Sequence, residues 1–301
     1  MMPRVVAIGS EAAPAGRRWA DFLTLTKPRV VLMVLVTTAV GFHVGSLGPS
    51  DPFRFLHTLL ATALSAGGVL ALNQLLERDT DALMARTRSR PLPDGRIQPA
   101  EALVFGMSLT LAGLAYFMIT VNALSALVTA ITAGTYLFVY TPLKRRSSLC
   151  TVVGAIPGAL PPVTGWVAAR AEFGFGAWVL FGILFLWQLP HTLAIASVYR
   201  ADYACAGLRV LPVVDPAGGS TGRQAAVSCL ALLAMGLLPA LVGIAGWLYF
   251  LGAMVLGTIL LLCGLCLAFF DSPAAARRLM FATLVYLPVL FVLMAADKIA
   301  F

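Results

Sequence analysis

Nine apolar stretches follow one another along this chain, near residues 30–47, 55–76, 100–119, 122–142, 149–169, 174–198, 224–246, 248–270 and 279–297. Each is close to the ~20 residues that cross a bilayer as a helix. Nothing else restricts the architecture so strongly. Hydrocarbon offers no water to backbone N–H and C=O groups, so a spanning segment must satisfy them itself, as a helix does. The expected fold is all-α: a polytopic bundle of nine transmembrane helices, forming one domain over 1–301 with 1–26 as a cytoplasmic N-terminal segment. Composition agrees, since 60% of the 301 residues are hydrophobic, 11% are charged and mean hydropathy is +0.91. The lipid bilayer is the chain's main solvent and partner.

The net charge of +8 invites a nucleic-acid reading, but the placement of the charges speaks for membrane topology instead. With a cytoplasmic N-terminus, 18 of the 21 Lys and Arg residues fall on the cytoplasmic face, and only Arg54, Arg170 and Lys298 on the other. The positive-inside rule then puts the C-terminus outside, as an odd number of spans requires. The first 25 residues hold Arg17 and Arg18 but no apolar core with a small-residue cleavage site, so the first spanning helix is expected to be its own anchor. The expected location is the inner (plasma) membrane of a bacterium, with a periplasmic C-terminus. Five cysteines, scattered over helices and one loop, indicate no disulfide framework, and Cys263 and Cys266 read as small packing residues.

Long polar connections follow the second, fourth, sixth and, more weakly, eighth helices, all on one face. Helix two with its loop and helix six with its loop hold matching places in successive four-helix stretches, a pattern of internal duplication in which two polar loops close over one central cavity. The Gly and Pro residues between Gly154 and Gly165 are accounted for by close helix packing.

The loop after helix two carries the densest chemistry. Asn73, Glu77 and Asp81 recur at i, i+4 and i+8, within about 80° of one another on a helical face, while Asp79 points away. The outer two are ~12 Å apart along the axis. That is too far to chelate one Mg²⁺ at ~2.1 Å, but suits a diphosphate bracketed through more than one ion. Arg86, Arg88 and Arg90 follow, and guanidinium groups match phosphate oxygens. A solvated helix end at the membrane surface is the bland alternative. Carboxylates for a hard cation beside arginines for phosphate fit a magnesium-bound isoprenoid diphosphate better.

A second cluster follows helix six: Gln188 and His191 at i, i+3, then Tyr199, Arg200, Asp202 and Tyr203. Asp202 is the carboxylate there able to face the first cluster across the bundle, and the tyrosine rings suit the stabilisation of an allylic cation. A third set, Tyr140, Lys144, Arg145 and Arg146, ends helix four and serves either topology or phosphate binding. His43 and His57 lie near the opposite surface, where no chemistry is expected.

Asn73-x-x-x-Glu77-x-x-x-Asp81, Arg86-Thr-x-x-Arg90-Pro-Leu and Tyr140-x-x-x-Lys144-Arg145 together resemble the UbiA superfamily of intramembrane prenyltransferases. Gly158-Ala-Leu-Pro-Pro-Val-Thr-Gly-Trp166, Leu186-Trp-Gln-Leu-Pro-His191 and Tyr199-x-x-Asp-Tyr-x-x-Ala-Gly-x-x-x-Leu-Pro212 are similar to its haem O synthase branch. The similarity runs from about Lys27 to Asp297. It implies a nine-helix bundle with a central cavity open toward lipid, and a reaction in which farnesyl diphosphate alkylates a vinyl group of haem b and water captures the resulting cation. By position, Asn73, Glu77, Asp81 and Asp202 would hold Mg²⁺, with Tyr199 and Tyr203 beside the reacting centre. Arg86, Arg90, Lys144 and Arg145 would hold the diphosphate. Gln188 and His191 would meet the haem, His191 through the iron or a propionate, and Arg145 and Arg146 are further propionate partners. A haem A synthase or terminal oxidase would receive the product.

Two departures stand out. The superfamily's first motif commonly has Asp where this chain has Glu77, which keeps the charge on a longer arm. The second motif usually has several aspartates, whereas here Asp202 stands with Tyr199 at a position where Asp is usual, a pattern similar to the haem branch. Two other readings compete: a UbiA enzyme acting on an aromatic or quinone precursor, and a non-enzymatic transporter or haem carrier. Transporters place ionisable residues near the bilayer midplane, whereas the acids here gather at one face.

Overall fold

The computed structural model describes residues 15–215 and 219–299. Most of the segment 1–26 expected on the cytoplasmic side lies outside them; its end forms a short helix, α1 (Ala15–Leu25). Nine helices among the described residues are long and apolar enough to cross a membrane: α2 (Pro28–Gly45), α3 (Pro52–Asp81), α4 (Pro99–Thr120), α5 (Ala123–Leu143), α6 (Cys150–Arg170), α7 (Phe175–Val198), α10 (Gly219–Leu241), α11 (Trp247–Phe270) and α12 (Pro273–Ala296). Two short helices, α8 (Arg200–Cys205) and α9 (Leu211–Val214), lie in the connection after α7. The all-α membrane bundle expected from hydropathy is the fold observed.

Local sequence explains where the spans begin. Pro28, Pro52, Pro99 and Pro273 each sit in the first helical turn, where a missing N–H costs nothing. Asp51 caps α3 by accepting from the Phe53 and Arg54 amides at 3.0 and 3.2 Å, and Asn122 caps α5 from the Ser125 amide at 2.8 Å. Two spans are internally broken. α5 passes through a π-helical segment, Thr135–Tyr140, just before Pro142, and α6 changes direction at Leu160, ahead of Pro161 and Pro162.

Packing follows from small residues. α3 pairs with α4, α2 with the second half of α6, and α10 with α11, while α7 lies among α6, α10 and α12 and shares the largest buried cluster with them. α2 and α6 meet backbone to backbone: a Cβ at Gly41 would lie 2.0 Å from the Pro162 carbonyl oxygen, and one at Gly165 would lie 2.0 Å from that of Thr38. Gly41→Ala is therefore expected to destabilise the bundle by about 1–3 kcal/mol, the range for overpacking a close contact, seen as a lowered Tm in detergent. Gly134→Ala, which meets nothing within 4 Å, is the matched control and is expected to leave Tm unchanged.

The bundle has two distinct ends. Around α2, α6 and α12, Lys298 Nζ donates to the His43 and Ser46 carbonyls at 2.6 and 2.7 Å, and Arg170 Nε donates to the Gly45 carbonyl at 2.6 Å. Here charged side chains close helix C-termini, and His43 and His57 only bond the Ala295 carbonyl and the Tyr116 hydroxyl. The loops after α3, α5 and α7 gather at the other end.

Candidate active site

A cavity of about 840 Å³ opens at that end. Six cationic side chains line it, Lys27, Arg86, Arg90, Lys144, Arg145 and Arg146, against two carboxylates, Glu77 and Asp81. Six less two leaves a surplus of four positive charges facing one space. Asn73 and Tyr203 line it too. Residues of the first and third polar stretches, with Tyr203 of the second, thus face one space, and the loops that carry them are tied together. The Arg209 amide donates to the Lys144 carbonyl at 2.9 Å, Met84 packs with Tyr203, Ala206 and Leu208, and the Arg86 guanidinium lies 5.4 Å from the Tyr199 ring centre.

α3 supplies the acids because it continues helically beyond the apolar run to Asp81. Asn73, Glu77 and Asp81 on its cavity face each hold a cation. Lys27 Nζ donates to Asn73 Oδ1 at 3.0 Å, Lys144 Nζ to Glu77 Oε1 at 2.6 Å, and Arg90 Nη1 to Asp81 Oδ2 at 2.6 Å. Asn73 and Asp81 are buried, at 0% and 2% exposure, so these bonds form where water screens little. Asn73 Nδ2 also donates to the Thr141 hydroxyl at 3.1 Å, and that hydroxyl donates to the Tyr136 carbonyl at 2.8 Å, joining α3 to the π-helical segment of α5.

Sequence reasoning missed Lys27 and Thr141 as site residues. Lys27 read as a topology charge, and its signal is conformational: it adopts the left-handed region, φ 50°, immediately before Pro28, which turns its ammonium back over Asn73. Burial pushes the Lys27 ammonium down to about 8, and Arg90 adds repulsion in the same direction. Lys27 is then charged below pH 8 and increasingly neutral above it, and only the charged form attracts a diphosphate. Affinity for inorganic diphosphate is expected to fall as pH rises through about 8, and Lys27→Met to remove that component of the pH profile; calorimetric titration of both proteins from pH 6.5 to 9.5 measures it.

Four sequence-predicted residues lie outside the cavity lining: Asp202, Tyr199, Gln188 and His191. Asp202 sits in α8, one residue from Tyr203. Among the described residues no three acidic, His or Cys side chains gather as a metal site; the cavity lining holds two carboxylates, and Lys144 and Arg90 are bonded to them. The donor set still fits Mg²⁺: Asn73, Glu77 and Asp81 offer hard oxygens on one helix face, and their present partners are the cations a phosphate would recruit. Gln188 Nε2 donates to the Ala155 and Leu184 carbonyls, both at 3.3 Å. His191 bonds Thr283 and stacks on Trp187.

A profile of the UbiA prenyltransferase family matches residues 34–287. The chain belongs to the UbiA prenyltransferase family. The protoheme IX farnesyltransferase of Solibacter usitatus (strain Ellin6076) is 45% identical over 287 residues, covering 92% of this chain and 98% of that relative. The structure of digeranylgeranylglyceryl phosphate synthase superposes with a TM-score of 0.79 at 16% identity, over 93% of this chain and 98% of that one. A UbiA homolog from Archaeoglobus fulgidus bound to GPP and Mg²⁺ gives 0.60 at 20% identity, over 91% and 99%. At these identities the structural likeness is one of fold. The chain is a multi-pass member of a family of membrane prenyltransferases.

Proposed function

We propose that this chain, as a single domain, transfers the farnesyl group of farnesyl diphosphate to a vinyl group of haem b, with addition of water, giving haem O and diphosphate. The observation that carries the reading is a cavity with six cations and two carboxylates in a chain 45% identical, over nearly its whole length, to a protoheme IX farnesyltransferase.

The chemistry asks for a neutralised leaving group and a dry site. Breaking the allylic C1–O bond puts its electron pair on the diphosphate, whose charge Arg86, Arg90, Lys144 and Arg145 take up. Bound Mg²⁺ supplies further neutralisation of that leaving group, and Asn73, Glu77, Asp81 and Asp202 are the residues that would hold it. Farnesyl C1 then bonds to the vinyl group. Water adds to the resulting cation and loses a proton, leaving a hydroxyethylfarnesyl substituent. Tyr199 and Tyr203 present aromatic faces to the positive charge, while helices in lipid keep other water away until the carbon–carbon bond has formed. Gln188 and His191 contact the haem, and Arg145 and Arg146 are placed for its propionates.

The loop-rich end bearing the cavity is the cytoplasmic one, in the inner membrane, which puts the end closed by Lys298 in the periplasm. The product is large and apolar, so it passes to a membrane-bound acceptor, a haem A synthase or a terminal oxidase. The deciding assay offers haem b and 4-hydroxybenzoate together to membranes containing the chain, with farnesyl diphosphate and Mg²⁺, and reads products by mass spectrometry. The expected product is the hydroxyethylfarnesyl adduct of haem alone. Prenylated hydroxybenzoate with haem unconsumed would overturn the assignment of the acceptor.

A further inference from the structure

His191 of α7 faces α12. Its Nδ1 lies 2.8 Å from the hydroxyl of Thr283, which is fully buried, and its ring stacks on that of Trp187 at 4.7 Å and 15°. Trp187 Nε1 in turn donates to the Thr283 carbonyl at 2.8 Å. One residue of α12 therefore anchors both rings of the Trp187-Gln-x-Pro-His191 stretch.

The hydrogen-bond geometry of this cluster favours one tautomer, the hydroxyl of Thr283 lying nearer the Met280 carbonyl, at 2.6 Å, than His191 Nδ1, at 2.8 Å. The Thr283 hydroxyl has one proton and donates it to the Met280 carbonyl at 2.6 Å, a partner that can only accept. Toward His191 the hydroxyl is then an acceptor, so Nδ1 carries the N–H. In a neutral imidazole the other nitrogen, Nε2, keeps its lone pair. Nε2 has no hydrogen-bond partner among the described residues and is not a fully buried atom. The ring itself is part-buried, and the next residue, Thr192, lines the cationic cavity.

We propose that Thr283 is a positioning residue that sets His191 as the Nδ1–H tautomer and presents Nε2 to the iron of the haem substrate. The logic is that of a metal-ligating histidine whose second nitrogen is held by an acceptor, which fixes ring orientation and tautomer. Trp187 adds a rigid stacked wall, so the imidazole has little freedom to turn. Because His191 and Thr192 are adjacent on α7, an iron held at Nε2 brings the porphyrin beside the cavity that holds the diphosphate. Of the two contacts open to His191, iron and propionate, the lone pair selects iron, since a propionate needs a donor. The inference rests on haem being the acceptor.

The test uses the full chain in nanodiscs, titrated with ferric haem b and with metal-free protoporphyrin IX. Wild type should bind haem with the Soret shift of an imidazole ligand, and more tightly than protoporphyrin. His191→Ala should lose that shift and bind haem no better than protoporphyrin, with added imidazole restoring the band. Thr283→Val, which keeps the shape and removes the acceptor, should weaken haem binding by about 10–100-fold, the usual cost of losing the group that orients a ligating histidine. Thr283→Ser should match wild type. Unchanged farnesyl diphosphate binding marks each variant as folded. A wild-type Soret band and affinity in Thr283→Val would overturn the proposal, as would equal weakening of both porphyrins in His191→Ala. If wild type binds neither porphyrin, the haem reading itself falls and this inference with it.

Discussion

Asp81→Asn is expected to lower farnesyl transfer about 10³-fold, the scale on which a preorganised charge at a reacting centre acts, and to lower Tm as well, since Arg90 keeps an acceptor there but loses its charged partner. Asp81 is buried, and its Oδ2 accepts from Arg90 at 2.6 Å. Asparagine keeps the volume and one acceptor oxygen, so the local packing survives. It removes the charge that sets Arg90 in place and that a divalent cation would require. Initial rates at saturating haem, with Tm of the purified protein alongside, measure the two effects separately. Turnover within threefold of wild type would remove Asp81 from the catalytic site.

The Glu77–Lys144 pair should give the largest stability effect. Both side chains are less than one-fifth exposed, at 17% and 19%, with Lys144 also 4.4 Å from the Tyr140 ring centre. Lys144→Met strands the Glu77 carboxylate, and losing one member of a buried pair costs about 3–5 kcal/mol. The double variant Glu77→Gln, Lys144→Met removes both charges and should recover most of that stability while remaining inactive toward farnesyl diphosphate. Thermal unfolding and turnover of the single and double variants make the comparison. Recovery of activity in the double variant would show that the pair holds the fold and does no chemistry.

The spans were legible because hydropathy is a one-dimensional property: each apolar stretch satisfies its own backbone, so its helix needs no partner to be recognised. The acids on α3 were legible for the same reason, since i, i+4, i+8 spacing is local. α1 was not: residues 1–26 read only as a cytoplasmic segment holding Arg17 and Arg18, and the helix's Asp21 pairs with Arg96, 75 residues on, a contact set by tertiary folding. Lys27 and Thr141 line the cavity and bond Asn73, 46 and 68 residues away in sequence. Thr283 likewise lies 92 residues from His191. Pairings of this kind leave no trace in spacing. Asp202, expected to face Asp81 across the bundle, lies in α8 outside the cavity lining, while Asp81 lines it and pairs with Arg90.

The π-helical segment Thr135–Tyr140 makes α5 a helix with two phases. A π turn amounts to one residue inserted into an α-helix, a rotational offset of ~100° for everything downstream. Upstream, Ile131 looks outward to lipid; downstream, Tyr140, Thr141 and Lys144 look inward. Excising one codon from this segment would wind it back to regular pitch and swing the inward-facing group toward the acyl chains. Counting errors here are thus more damaging than spelling errors, and a single-residue deletion should silence the enzyme more completely than most replacements on the cavity wall.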